Sequence, residues 1–327
     1  MKENQLKSNF MSASRKVFQV VGAQIIALAI LWTILGIASN VFFTKLNMMT
    51  LFNLFTANCV LSFGVMCCIV AGEFDLSVGS QIAVAGIILC MIMNAGGSFF
   101  VALLGAIGVC MVIGAISGVV IALTGMPSFV VTLAMMGAIR GLAYILSGGT
   151  NLMSDNETFY QLTAGRLWGL IPYTTIIVFV LAVIMDIMFR NTKLGKYIFA
   201  CGSNREAAIF SGINDKKVVI IVYIICSAFA GISGTFVASR VTSGIPTAGQ
   251  NYEGDAICAV VLGGTAFAGG KGNVWGVVMG SLILGTLSNG MNLLELSYNW
   301  QMILKGVLIM LAVMVDTIKE RREKSAA

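Results

Sequence analysis

The chain has 327 residues, of which 58% are hydrophobic and only 10% charged, against about 25% charged in ordinary soluble domains. That composition excludes a soluble globular enzyme and a disordered chain, and leaves a polytopic helical membrane protein. The net charge of +6 does not point to nucleic acid, because the basic residues fall in short groups between apolar segments, where they set topology.

Residues 1–16 carry Lys2, Lys7, Arg15 and Lys16 and are expected on the cytoplasmic side. The apolar run at 17–39, about 23 residues, exceeds the apolar core of a signal peptide and can span ~30 Å of hydrocarbon, so it reads as a retained first helix. Apolar stretches then predict helices at 50–71, 77–95, 99–124 and 128–147, with Gly96, Gly97 and Ser98 making one turn and Pro127 another. The following loop carries Asp155, Glu157 and Arg166 and suits the outer face. A sixth helix at 172–189 returns the chain to a basic interval at 190–217. A seventh at 218–239 leads to a second outer loop, RVTSGIPTAGQNYEGD.

The piece at 256–270 has only 15 residues, four of them glycine, or about 22 Å of helix. If it merely dipped into the bilayer, helices at 274–294 and 299–315 would leave Lys319, Arg321, Arg322 and Lys324 outside. The positive-inside rule therefore favours a full crossing, shortened or broken by its glycines. The expected fold is all-α: about ten transmembrane helices in a single domain over 1–327, with both termini cytoplasmic. Glu73 and Asp75 after the second helix match Glu253 and Asp255 after the seventh, which points to two inverted five-helix halves.

The interval at 190–217 is the one long polar stretch in the interior of the sequence. Arg190, Lys193, Lys196, Arg205, Lys216 and Lys217 face only Glu206 and Asp215, as in a loop held at the cytoplasmic surface. Ser203 and Glu206 have capping-box spacing, and Gly212 stands where a left-handed cap would end a helix of about two turns. So short a helix needs a partner to be stable. Ala207 and Ala208 allow close approach, Ile209 and Phe210 offer apolar anchors, and Arg205 and Glu206 supply a charged rim, the make-up of a helix that docks into a groove on another protein.

Other constellations are weighed against plainer roles. There is no histidine, and of the eight cysteines seven (Cys59, Cys67, Cys68, Cys90, Cys110, Cys226, Cys258) lie in apolar runs without a CxxC, so a metal site is not expected. The string DLSVGS at 75–80 can cap a helix through Asp75 or Ser77, or place a carboxylate on a pathway. Asn58, Asp75, Ser77, Gln81, Asn94, Glu253 and Asp255 are the candidates to line a translocation path. The string GGTAFAGGKG at 263–272 lacks the first glycine of a phosphate-binding loop and the hydroxyl after its lysine, so it reads as close helix packing. Glycines spaced by four, Gly114/Gly118, Gly137/Gly141 and Gly276/Gly280, also suit close helix contacts. Arg140 needs a buried partner or an aqueous cavity, whereas Lys305 and Asp186 are expected to reach the interfaces.

Taken together, DLSVGS at 75–80, EAAxxxG at 206–212, PTAGxxYExDAIxAVVLGG at 246–264 and AGGKG at 268–272 resemble the membrane permeases of ribose-type ATP-binding-cassette (ABC) importers. The resemblance covers nearly the whole chain. It implies a bacterial inner-membrane subunit that is not itself an enzyme, with no cofactor or nucleotide site of its own, because ATP is bound by the partner ATPase. It implies a cytoplasmic ABC ATPase docked on Ser203, Arg205, Glu206, Ala207, Ala208, Ile209, Phe210 and Gly212, an extracytoplasmic sugar-binding protein, and a second permease copy. One departure is the absence of a proline about a dozen residues past the EAA string, where Ile221, Val222 and Tyr223 continue the helix; this argues against the maltose-type subclass. The rival is an ion-coupled secondary transporter of a small polar solute, which gives no reason for a docking helix.

Overall fold

The structure, a computed structural model, describes residues 21–167, 169 and 171–326. After α1 (Val21–Ala38) come α2 (Lys45–Val70), α3 (Val78–Asn94), α4 (Phe99–Thr124), α5 (Ser128–Ser147) and α6 (Glu157–Ala164). They are followed by α7 (Tyr173–Asn191), α8 (Lys193–Ser203), α9 (Arg205–Phe210), α10 (Asp215–Val241), α11 (Tyr252–Leu262), α12 (Val274–Leu293) and α13 (Tyr298–Ala326). Two small antiparallel pairs join β1 (Leu152–Met153) to β4 (Ser243–Gly244) and β2 (Arg166–Leu167) to β3 (Ile171–Pro172). Residues 1–16 and the start of the expected first helix lie outside the described residues.

Among the described residues, seven helices are long and apolar enough to cross a membrane: α1, α2, α4, α5, α7, α10 and α12. The protein is an all-α polytopic membrane protein. The helices expected at 99–124 and 128–147 match α4 and α5 because their ends carry strong local signals. Ser98 accepts from the Val101 amide, Gly125 and Gly148 adopt left-handed φ of 69° and 61°, and Pro127 stands between the two helices. Elsewhere the bounds shift. The second helix begins at Lys45, because Thr44 caps it, and the expected 256–270 span is the shorter α11, which starts earlier and stops at Leu262.

Two pillars hold the bundle. α10 packs against α2, α3 and α4, while α2 packs against α10, α11 and α12; α3 also meets α4 and α5, and α11 meets α12 and α13. Small residues bring the backbones together, as membrane packing requires. A β-carbon at Gly114 or Gly118 of α4 would strike Tyr223, Ser227 or Ile220 of α10. One at Gly276 or Gly280 of α12 would strike the carbonyls of Gly263 or Ala259. The third pair departs from expectation: among the described residues, Gly137 and Gly141 of α5 have no atom within 4 Å of where a β-carbon would stand, so they seat none of the described helices.

Two segments read as external loops are folded into the body. The first contains α6, whose Phe159 is fully buried and whose Thr163 hydroxyl lies 3.0 Å from that of Ser239 on α10. In the second, residues 243–251 run antiparallel along α3, Gly244 touching Gly86 and Ile87 and Gly249 touching Gly79 and Ile82. Backbone can leave regular structure at this depth because it is enclosed by protein.

Candidate coupling and translocation sites

The basic interval at 190–217 is not a loop around one helix but two helices in series. Thr192 caps α8, and Asn204, extended at φ −158°, ends α8 and starts α9. The Asn204 side chain accepts from the Ala207 amide at 2.9 Å. This corrects the capping box expected between Ser203 and Glu206: Ser203 is the last residue of α8, so its helical backbone cannot serve as an N-cap, and Glu206 is left in the first turn of α9. The C-terminal expectation holds, with Gly212 at φ 84°. The Gly212 amide donates to Ile209 and the Ile213 amide to Ala208, the paired bonds of a glycine-capped helix end.

Capped at both ends, α9 turns Ala208 inward, where it is buried, and leaves Ser203, Arg205, Glu206, Ala207, Ile209, Phe210 and Gly212 exposed. Phe210 is 90% exposed and Ile209 47%. Around it the AGGKG string acts as a backbone clamp. The Gly270 amide donates to the carbonyl of Val70 at the end of α2, and the Ser203 hydroxyl reaches the Gly270 carbonyl at 3.5 Å. A β-carbon at Gly202 would collide with Val70 and Gly270 backbone, so α8 is fixed against the ends of α2 and the α11–α12 connection. This is the packing role expected of 263–272.

Arg205 ties α9 to the interior. Its guanidinium donates to Glu73, which is 4% exposed, at 2.5 Å and stands 3.9 Å from Asp215. Partial burial works against the charge on Arg205, but the hydrogen bond and charge of Glu73, with Asp215 behind them, outweigh it and hold the group above its usual value. The next residue, Phe74, is a junction. Its amide donates to the Ser128 hydroxyl, and its carbonyl accepts from Thr132 of α5 and from Tyr223 of α10 at 2.8 Å. The exposed surface of α9 thus reaches α3, α5 and α10 through three residues, Arg205, Glu73 and Phe74.

The expected pathway residues do not form one group. Asp75, Ser77 and Gln81 do come together: Asp75 Oδ1 accepts from the Ser77 amide at 2.8 Å and hydroxyl at 2.6 Å, and Gln81 donates to that hydroxyl at 2.9 Å. All three are essentially buried, with the Cys226 thiol beside Asp75. They fasten the start of α3 where it packs against α10. Asn58 is buried apart from them in α2, and Asn94 lies at the far end of α3, donating to the Met153 carbonyl.

Glu253 and Asp255 occupy a third place, at mid-height in the bundle. Along the 27-residue α10, Asp75 lies beside Cys226 and Ile82 touches Gly234, so Gly79 is level with the middle of that helix. A β-carbon at Gly79 would meet the Glu253 carboxylate, which puts the first turn of α11 at the same depth. Two basic residues converge there. Arg140 of α5 donates to the carbonyls of Pro246 and Ala248, both at 2.7 Å, with its charge near Glu253. Lys305 of α13 donates to Asp255 at 2.6 Å. Arg140 therefore has the buried partner expected of it. Lys305 does not reach an interface as expected, because Asp255 offers it an ion pair; Asp186 instead pairs with Arg190 one helical turn away at 2.8 Å.

Comparison with known proteins adds an independent finding. A family profile described as branched-chain amino acid transport system / permease component matches residues 47–313. The chain is 39% identical over 300 residues to the ribose import permease protein of Escherichia coli strain K12, covering 90% of this chain and 93% of that one. It is 36% identical over 303 residues to the ribose import permease protein of Bacillus subtilis strain 168, with 92% of each chain covered. It is 33% identical over 293 residues to the D-allose transport system permease protein of Escherichia coli strain K12, covering 89% and 90%. No solved structure matches the chain.

Proposed function

Because the chain belongs to this family of transport-system permease components, matched from residue 47 to 313, we propose that it is the membrane subunit of an ATP-driven importer of a monosaccharide such as ribose. The family description names amino acids, but the relatives at 33–39% identity over some nine-tenths of the chain carry sugars in their names, and the reading follows them. The chain is a multi-pass protein of the bacterial inner membrane that passes sugar from an extracytoplasmic binding protein to the cytoplasm. ATP is bound and hydrolysed by a cytoplasmic ABC ATPase, and a second permease copy completes the channel.

The observation that carries this reading is α9: a six-residue helix, capped at both ends and braced to the interior by Arg205, that holds Phe210 in the open. An exposed aromatic on a rigid mount calls for a partner. The ATPase is that partner, seated on Ser203, Arg205, Glu206, Ala207, Ala208, Ile209, Phe210 and Gly212. Ten crossings follow if α3, α11 and α13 join the seven long apolar helices, which keeps both termini and α9 on the cytoplasmic side. The packing supports inverted halves: α2 with α11 and α12 repeats α10 with α3 and α4, and the pair α3–α5 repeats as α11–α13.

The test is uptake of radiolabelled ribose, D-allose and L-arabinose by cells expressing the chain with its neighbouring ATPase and binding protein. Uptake abolished by inactivating the ATPase, and indifferent to collapse of the ion gradient, is expected. Uptake that persists without the ATPase and fails with the gradient would establish the ion-coupled rival.

A further inference from the structure

The mid-height charges around α11 border a cavity whose lining includes no residue of α9. It has a volume of about 310 Å³ and lies between α11 and α13, lined by Asn251, Tyr252, Glu253, Asp255, Tyr298 and Lys305 among others. That is the small end of the ~300–1,000 Å³ usual for small-molecule sites, room for one small solute and not for a peptide. Ionisable groups at this depth are costly against lipid and mark water-filled or ligand-bearing space. Here they balance: Asp255 is paired with Lys305 at 2.6 Å, and Glu253 feels the charge of Arg140. The cavity offers several hydrogen-bond donors and acceptors but little net charge to an ion. Tyr252 and Tyr298 add flat apolar faces, and the Tyr298 hydroxyl accepts from Asn251 at 3.1 Å.

We infer that this cavity is a contact site for a neutral polyhydroxylated solute crossing the bilayer, with Asp255 and Lys305 as its hydrogen-bonding partners and the two tyrosines as its stacking walls. The inference rests on the sugar-importer reading. Carboxylates and ammonium groups bind vicinal hydroxyls by charge-assisted hydrogen bonds, and a pair at balanced charge can exchange its mutual bond for bonds to a diol without stranding a bare ion.

The experiment uses the full chain with its ATPase and binding protein. In a background with the native cysteines replaced, Met302→Cys, on the cavity wall and 46% exposed, is treated with a charged thiol reagent, with and without saturating ribose. Labelling that ribose slows several-fold is expected; no labelling, or labelling that ribose leaves unchanged, overturns the site. In parallel, Asp255→Asn is expected to cut uptake at least tenfold with ATPase co-purification unchanged. The swap Asp255→Lys with Lys305→Asp restores an ion pair but exchanges donor and acceptor, and is expected to leave uptake low. Recovery to the wild-type rate would make the pair a structural brace and overturn the site. A wild-type complex that takes up none of the three sugars, although the ATPase co-purifies, would instead remove the sugar-importer reading and the site with it.

Discussion

The guanidinium of Arg205, on the exposed helix α9, lies 2.5 Å from the carboxylate of Glu73, which is buried near the start of the α2–α3 connection. It is the side-chain ion pair through which α9 grips the connection leading into α3. Arg205→Ala removes the partner of a buried carboxylate, at a cost of ~1–3 kcal/mol, toward the lower end because the Arg205 side chain is itself 43% exposed. The ATPase should still bind, since Ile209 and Phe210 remain, while ATP hydrolysis and sugar uptake separate. Uptake and ATPase rate measured on the same preparation check this; a proportional fall in both, with lost ATPase binding, would make Arg205 a docking residue only.

Asp75 gives a different expectation. Its Oδ1 holds Ser77, and its Oδ2 is buried with the Cys226 thiol beside the carboxylate. Asp75→Asn can keep the Oδ1 bonds and spares the burial of a charge, so the protein should be no less stable than wild type. Melting temperature in detergent and sugar uptake together decide the role. A stable variant with uptake reduced at least tenfold assigns a transport role to the charge; normal uptake leaves Asp75 as the fastener of α3.

Local signals were legible in the sequence and depth was not. α4 and α5 could be bounded because Ser98, Gly125, Pro127 and Gly148 act through neighbouring backbone, and the left-handed Gly212 is equally local. The capping box failed at Ser203 because α8 extends through that residue; its eleven residues form an amphipathic surface helix with too little apolar length to stand out. The string at 243–251 looked external because glycine, threonine and proline read alike in water and against a packed backbone. Only contact with Gly79 and Gly86 distinguishes the two. Likewise Lys305 and Asp255, fifty residues apart, carry no sequence signal of their ion pair.

The glycines supply a paired comparison. At Gly276 a methyl group would collide with the Gly263 carbonyl, which is backbone and cannot swing aside. Gly276→Ala should therefore cost ~1–3 kcal/mol through overpacking. At Gly137 the same methyl meets nothing within 4 Å among the described residues, and Gly137→Ala should stay within about 0.5 kcal/mol of wild type. Thermal melting of the solubilised protein measures both. Equal effects would mean that the α11–α12 crossing is looser than its backbone contacts indicate.

Topology is checked by placing single cysteines at 155, 203 and 324 in a background lacking the native eight. Asp155→Cys should react with an impermeant reagent from outside. Ser203→Cys and Lys324→Cys should react only from the cytoplasmic side. Labelling of position 324 from outside would remove one crossing and turn α11 into a segment that enters and leaves on one face.

The proposed coupling role of α9 makes the sharpest demand, because the helix's apolar anchor, its charged first turn and its cap are separate parts. Phe210, 90% exposed in this chain, contributes almost nothing to the permease fold, so Phe210→Ala should leave its melting temperature unchanged. If the ring is buried by the ATPase, its loss costs ~1.5–3 kcal/mol of association, a weakening on the order of tenfold to a hundredfold at ~1.4 kcal/mol per decade. Gly212→Val acts on geometry instead. With φ at 84° a β-branched residue opposes the cap, which should loosen α9 and weaken ATPase binding without touching the interface directly. Glu206→Ala should have the smallest effect of the three, because Asn204 and not Glu206 is the capping partner, so only a rim charge is lost. Co-purification of the ATPase with each variant gives the order: Phe210→Ala and Gly212→Val weak, Glu206→Ala near wild type. Full retention of the ATPase by Phe210→Ala would show that the exposed ring meets something else, and the coupling surface would have to be sought away from α9.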